Sequence, residues 1–138
     1  MINTLRALLK QKGYSLTKPR LIVFGVLAGK EPQTMAEIIG LTANKIDRAT
    51  VYRTIELFEQ AGIAHRLNIG FKYKIELTEV FNGHHHHLHC TACGRTFPLP
   101  ANPMLETMID TVASKADFAP RGHQLEIYGL CQNCSKPS

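Results

Sequence analysis

Four cysteines in two C-x-x-C pairs, Cys90/Cys93 and Cys131/Cys134, constrain this chain more than any other feature. They are all the cysteines it has, so no thiol is left over. Two sulfurs of one such turn reach a common ion at about 2.3 Å, and two turns complete a tetrahedron. The pairs are 37 residues apart, more than in a simple ribbon, so a folded element is threaded between them and the chain must return to its own starting point. This spacing reads as a closed structural Zn2+ site. The competing reading, two redox dithiols or disulfides, needs an oxidising compartment.

Nothing in the sequence suggests such a compartment. No run approaches the ~18 apolar residues of a membrane span. The first residues, M-I-N-T-L-R-A-L-L-K-Q-K, are broken by charge too early for a signal peptide. The expected setting is cytoplasmic, with no membrane partner. Charge is segregated along the chain: residues 1–76 carry 12 Lys and Arg against 6 Asp and Glu, and residues 77–138 carry 4 against 5. A basic first half beside a near-neutral, ligand-rich second half implies two modules. The basic one either faces a polyanion or is a solvated surface.

Periodicity makes the first half helical and then β. Leu5, Leu8 and Leu9 form a short apolar stripe. Thr17 can cap a second helix with Pro19 in its first turn. T-M-A-E at Thr34–Glu37 is a capping box opening a third. Asp47 can cap a fourth that Gly62 ends, with Val51, Ile55 and Phe58 on one face and Arg48, Tyr52 and Arg53 mostly away from it. A turn at Asn68–Gly70 and the alternation of Phe71, Tyr73 and Ile75 then predict a β-hairpin. Helices followed by a hairpin are the winged-helix layout, whose last helix enters a DNA major groove. Leu77–Gly83 reads as a connector. Beyond it, H-L-H-C and R-T-F-P-L predict short strands. Met104–Lys115 predicts a helix with Leu105, Met108, Ile109 and Val112 inward, and H-Q-L-E-I-Y-G-L-C a further strand. The fold class is therefore α+β, and the βαβ-like second module is too small to bury much core without zinc or a partner.

The run His84–His87 precedes the first C-x-x-C. Side chains alternate along a strand, so His85 and His87 point one way and His84 and His86 the other. Such a strand can feed two metal sites back to back, with His65, Glu76, Glu106 and His123 as candidate partners. His89 is left over, and reads first as a packing or surface residue.

At these residues the chain resembles the ferric uptake regulator family of metal-sensing repressors. G-Y-S-L-T-K-P-R at Gly13–Arg20, A-T-V-Y-R at Ala49–Arg53, H-H-H-H-L-H-C-x-x-C-G and L-E-I-Y-G-L-C-x-x-C are similar to four ordered motifs of that family. The resemblance implies a winged-helix DNA-binding domain over residues 1–76, a hinge at 77–83 and a metal-binding α/β dimerisation domain at 84–138. It implies a homodimer that closes on a palindromic double-stranded DNA operator when metal binds. Arg20, Arg48, Thr50, Tyr52 and Arg53 are the implied DNA-binding residues, and Ser15 stands where a minor-groove lysine is common. Cys90, Cys93, Cys131 and Cys134 match the structural zinc site. His84, His86, Glu106 and His123 match a second site, and His65, Glu76, His85 and His87 the hinge sensor. Pro32 and Pro98 stand where iron-type members place a histidine and an acidic ligand, which tilts the regulatory ion towards Zn2+ over Fe2+ or Mn2+.

Iron, manganese or peroxide sensing within the same family is the alternative. A small zinc hydrolase is a remote one, because neither H-E-x-x-H nor H-x-E with P-C-x-x-C occurs. The chain is therefore expected to be no enzyme, with no small-molecule substrate.

Overall fold

A computed structural model describes residues 1–29 and 31–137. Ser138, the last residue of the expected second domain, lies outside the described residues. The chain divides into two compact units, Met1–Gly83 and His84–Ser138.

The first unit runs α1 (Ile2–Gln11), α2 (Lys18–Leu27), α3 (Met35–Thr42), α4 (Arg48–Gln60), β1 (Ala64–Ile69), β2 (Lys72–Leu77) and a single turn, α5 (Glu79–Asn82). Local chemistry explains the boundaries. The Thr34 side chain accepts from the Glu37 N–H, and the Glu37 carboxylate accepts from the Thr34 N–H, closing the capping box of α3. Asp47 occupies the cap position of α4, but its carboxylate takes the Thr50 hydroxyl rather than a backbone N–H. That bond holds the Asp47 carboxyl below its ordinary range.

β1 and β2 pair antiparallel, with Ile69 opposite Lys72. The loop between them is therefore Gly70–Phe71. Gly70 has φ of 63° at the first loop position, where type II′ turns place glycine. Phe71, expected to share the strand alternation of Tyr73 and Ile75, instead sits at the tip and is fully exposed. Gln33 bridges to Ile75 through two backbone bonds of 2.9 and 2.7 Å, adding a short third edge to the hairpin.

The apolar faces of these elements meet in one core: Leu5, Leu9, Val23, Phe24, Leu27, Ile38, Val51, Ile55, Phe58, Ile63, Ile75 and Leu77 are all buried. The expected hinge at 77–83 is part of this unit. Leu77 ends β2 in the core, the Thr78 hydroxyl donates to the Gly62 carbonyl at 2.8 Å, and Phe81 packs edge-on against Phe24 with centroids 5.1 Å apart.

In the second unit β3 (His85–Cys90) is the central strand, antiparallel to β4 (Thr96–Pro100) and parallel to β5 (Glu126–Gly129). A parallel pair needs a crossover, and α6 (Pro103–Lys115) lies in it. Asn102 caps α6 by accepting from the Met104 N–H at 2.9 Å. A final turn, α7 (Gln132–Ser135), carries Cys134. Among the described residues, the buried side chains of this unit are His86, His87, His89, Cys90 and Thr96.

The helix expected to face inward through four residues does so only in part. Leu105 and Ile109 are half-buried, whereas Met104, Met108 and Val112 are 80%, 62% and 65% exposed. One edge of the apolar stripe of α6 is thus left to solvent in the single chain. Among the described residues no helix is long and apolar enough to cross a membrane.

Phe58→Ala is expected to destabilise the first unit by about 3–5 kcal/mol, from lost burial and the cavity left behind. The check is the urea midpoint of that unit's unfolding, with bound zinc per chain unchanged.

Candidate metal centres and nucleic-acid interface

The four cysteines converge. One sulfur from each of Cys90, Cys93, Cys131 and Cys134 lies within 4.8 Å of the others, and Cys93 and Cys131 Sγ are 3.9 Å apart. Sulfurs on a tetrahedral ion at about 2.3 Å would be separated by about 3.8 Å. A disulfide would need about 2.05 Å, and all four thiols are free. The knuckle is built by local backbone. The Cys93 N–H donates to Cys90 Sγ at 3.5 Å, and the Cys131 N–H donates to the same sulfur at 3.4 Å. Gly94, at φ of 76°, turns the chain back so that Arg95 can bond the Cys90 N–H.

These donors pull the Cys90 thiol down to about 6, Cys93 first and Cys131 next. Cys134 is pushed up to about 12, because it shares a proton with Cys131 and then with Cys90. Four crowded thiols, one already drawn towards thiolate and one held neutral, fit a divalent cation that would let all four ionise.

The second cluster joins β3, α6 and the segment before β5. His84, His86, Glu106 and His123 each offer an atom within 4.8 Å of the rest. His86 Nε2 is 2.6 Å from Glu106 Oε1, while His84 and His123 Nε2 lie 3.1 and 2.7 Å from Oε2. The His84 and His123 nitrogens are themselves 3.1 Å apart. The His86 bond holds the Glu106 carboxyl below its ordinary range against partial desolvation, with His123 and then His84 adding to it. Three imidazole nitrogens and a carboxylate aimed at one point fit a tetrahedral ion of zinc type.

The opposite face of β3 holds His85 and His87, with ring centroids 4.7 Å apart. His65 and Glu76 face each other across the hairpin of the first unit, Nε2 to Oε1 at 2.8 Å, with Glu76 buried. The four expected sensor residues thus come as two pairs, one in each unit.

Two functional candidates escaped the sequence. Glu126 lies on β5, within the expected strand H-Q-L-E-I-Y-G-L-C. It binds His87 Nδ1 at 3.1 Å and His89 Nε2 at 2.5 Å. His89, expected as a packing or surface residue, is buried inside this network. The parallel register that sets His87 opposite Glu126 is the signal, and it needs the tertiary pairing.

On α4 the side chains of Arg48, Tyr52 and Arg53 are exposed. Thr50 is half-buried, bonded to Asp47 and approached by Arg53 Nη2 at 3.3 Å. Arg20 folds back on its own motif: Nη1 donates to the Ser15 carbonyl at 2.6 Å and the guanidinium lies over the Tyr14 ring at 5.2 Å. Tyr14, Thr17, Arg20, Thr50 and Arg53 line an open groove of about 440 Å³. Pro19, Glu56 and Leu57 line it too, so its cationic groups are Arg20 and Arg53, which can meet a phosphate backbone.

Comparison with known proteins follows the same lines. A model of the Ferric uptake regulator family matches residues 11–128. Over 134 residues the sequence is 35% identical to the ferric uptake regulation protein of Bordetella parapertussis, covering 93% of this chain and 94% of that one. The structure is similar to that of the Vibrio cholerae ferric uptake regulator, with TM-score 0.76 and 30% identity over 89% of this chain and 96% of that one. It is also similar to a zinc-bound manganese uptake regulator, with TM-score 0.71 and 28% identity over 93% and 98%.

Cys93→Ser is expected to remove about one equivalent of zinc per chain, since three sulfurs leave the tetrahedron open. Metal analysis of the purified protein checks this; unchanged zinc would show that the thiols do not hold it.

Proposed function

We propose, from the premise that the chain belongs to the ferric uptake regulator family, that it represses metal-uptake genes by binding a palindromic operator as a metal-loaded homodimer, with zinc as the preferred regulatory ion. Family membership makes the chain a metal-responsive DNA-binding transcriptional regulator and not an enzyme. The operator, the dimer, the repression, the regulatory metal and the cytoplasmic setting are the proposed part.

The observation that carries the zinc preference is His65 held opposite Glu76 on the wing. Together with His85 and His87 they would supply a set of three imidazoles and one carboxylate, drawn from both units. Zinc accepts four such ligands readily. Pro32 and Pro98 supply no further donor of the kind that fuller iron coordination would use. Cys90, Cys93, Cys131 and Cys134 would hold the structural ion, and His84, His86, Glu106 and His123 a further one. A bound regulatory ion supplies a crosslink whose strength depends on free metal. It favours the arrangement in which both ligand pairs can reach it, by its differential affinity for that state.

The exposed face of α4 supports the DNA assignment. Arg48 and Arg53 can contact phosphates or base edges, with Tyr52 and Thr50 between them. Arg20 braces the loop that borders the groove. The dimer is supported by the uncovered edge of α6, at Met104, Met108 and Val112, and by Ile127 and Tyr128 on β5, all exposed in the single chain. The second reading is iron(II) sensing, favoured by the 35% identity to a ferric uptake regulation protein.

The test is anaerobic binding to operator-length DNA, with structural zinc retained and free Zn2+, Fe2+ or Mn2+ buffered. Zinc at very low free concentration is expected to switch on binding, and His87→Ala to abolish the switch while keeping the cysteine-bound zinc. Activation by iron(II) or manganese(II) alone would move the protein to the second reading, and an unchanged His87→Ala response would remove the assigned sensor. Arg53→Ala is expected to weaken binding and reduce the slope of log K against log salt by about 1.

A further inference from the structure

Glu126 belongs to none of the three ligand sets, yet its carboxylate meets His87 and His89 at once. It lies directly opposite His87 in the parallel β3–β5 register. One oxygen faces His87 Nδ1 at 3.1 Å and the other faces His89 Nε2 at 2.5 Å. The far nitrogen of His89, Nδ1, is 3.0 Å from the Thr96 hydroxyl on β4. The His89 ring is further fixed by stacking on Tyr128 at 5.2 Å and on His87 at 5.9 Å. The network therefore crosses all three strands, and His87, His89 and Thr96 are buried.

The hydrogen-bond inventory assigns the protons. An ionised carboxylate only accepts. Both imidazole nitrogens that face Glu126 must then carry hydrogen: Nδ1–H of His87 and Nε2–H of His89. Neutral His89 presents its lone pair at Nδ1, where the Thr96 hydroxyl donates. Neutral His87, with its hydrogen on Nδ1, presents its lone pair at Nε2. In solution the neutral ring divides between two tautomers; here one is selected by a buried acceptor, and the ring is held in one orientation.

From this we infer that Glu126 is a positioning residue for the regulatory metal, fixing His87 as the Nε2-coordinating tautomer, with His89 and Thr96 anchoring the carboxylate from behind. The inference rests on the proposed role of His87 as a ligand. A carboxylate behind a metal-binding imidazole sets its tautomer and strengthens it as a donor, and losing that partner commonly costs 10–100-fold in metal affinity. It also gives His89 a function: it occupies the second oxygen of Glu126, so the carboxylate cannot rotate away from His87.

Glu126→Gln tests this with almost no change in shape. The amide has one acceptor and one donor side. With His89 still donating to the amide oxygen, the NH2 faces His87 Nδ1 and demands a lone pair there, which moves the His87 hydrogen to Nε2. Two readouts are taken on protein that keeps its cysteine-bound zinc but has its other sites emptied, in a Glu106→Gln background that disables the second histidine cluster. Imidazole ¹⁵N shifts, assigned by the signal lost in His87→Ala, report the His87 tautomer without any regulatory metal. Cobalt(II) affinity, by chelator competition and visible absorption, reports the site.

The expected result is an Nδ1–H tautomer for His87 that inverts in Glu126→Gln, with cobalt affinity falling about 10–100-fold. An Nε2–H tautomer in the unsubstituted Glu126 protein would overturn the inference. So would cobalt affinity that survives Glu126→Gln while His87→Ala loses it. Cobalt affinity untouched by His87→Ala would instead overturn the assignment of His87 as a ligand. If Glu126→Gln fails to fold, Glu126→Asp takes its place: one methylene shorter, it cannot span both histidines, and the same direction of loss is expected.

Discussion

Thiols, imidazoles and carboxylates occupy, in residues 84–137, the place that aliphatic side chains occupy in residues 1–83. The interior of the second unit is His86, His87, His89, Cys90 and Thr96. Its apolar helix side chains are half-buried or exposed. Burying polar groups is unfavourable unless each is paired. Here Glu106 gathers three histidines and Glu126 two, while the cysteine sulfurs are crowded onto one another. A unit of this size is marginal on apolar burial alone. Metal coordination by these clusters would convert this packing of ligands into a stable core, as small metal-dependent domains couple binding to folding.

The first unit shows the contrasting solution. Its helices and hairpin close around a contiguous apolar core, and that core leaves α4 with one face free. Arg66 Nε donates to both carboxylate oxygens of Glu59, at 3.0 and 2.9 Å, tying the end of α4 to β1, and Arg66 also lies over the Tyr73 ring at 4.4 Å. Exposed ion pairs contribute little to stability. Their geometric value is that the helix and the wing, with His65 and Glu76 upon it, keep a fixed relation. On the proposed assignment, an ion held by His65 and Glu76 together with His85 and His87 would couple free-metal concentration to a choice of conformations.

Much of this was legible in the sequence because short-range rules dominate where they apply. The capping box at Thr34–Glu37 marked the start of α3, the 3.6-residue spacing of Val51, Ile55 and Phe58 marked the buried face of α4, and strand alternation separated His84/His86 from His85/His87. What failed was long-range. Phe71 satisfied the alternation but fell in the loop, because register is set by the turn and not by hydrophobicity. Leu77 and Phe81 belonged to a core whose other half, Phe24, is far away in the chain. Met108 and Val112 fitted an inward stripe, yet both are exposed in the single chain. Glu126 and His89 acquire meaning only through the parallel register of β3 with β5, which no local pattern announces.

The most direct measurement is native-state hydrogen exchange, followed residue by residue, before and after the zinc is removed with a chelator. Exchange protection reports local stability element by element. If metal stands in for an apolar core, amides of β3, β4 and β5 lose their protection when zinc is removed, while those of α4, β1 and β2 keep theirs. Protection of β3 and β5 that survives complete zinc removal would contradict this, and would mean that the second unit holds its ligand clusters ready-made without any ion.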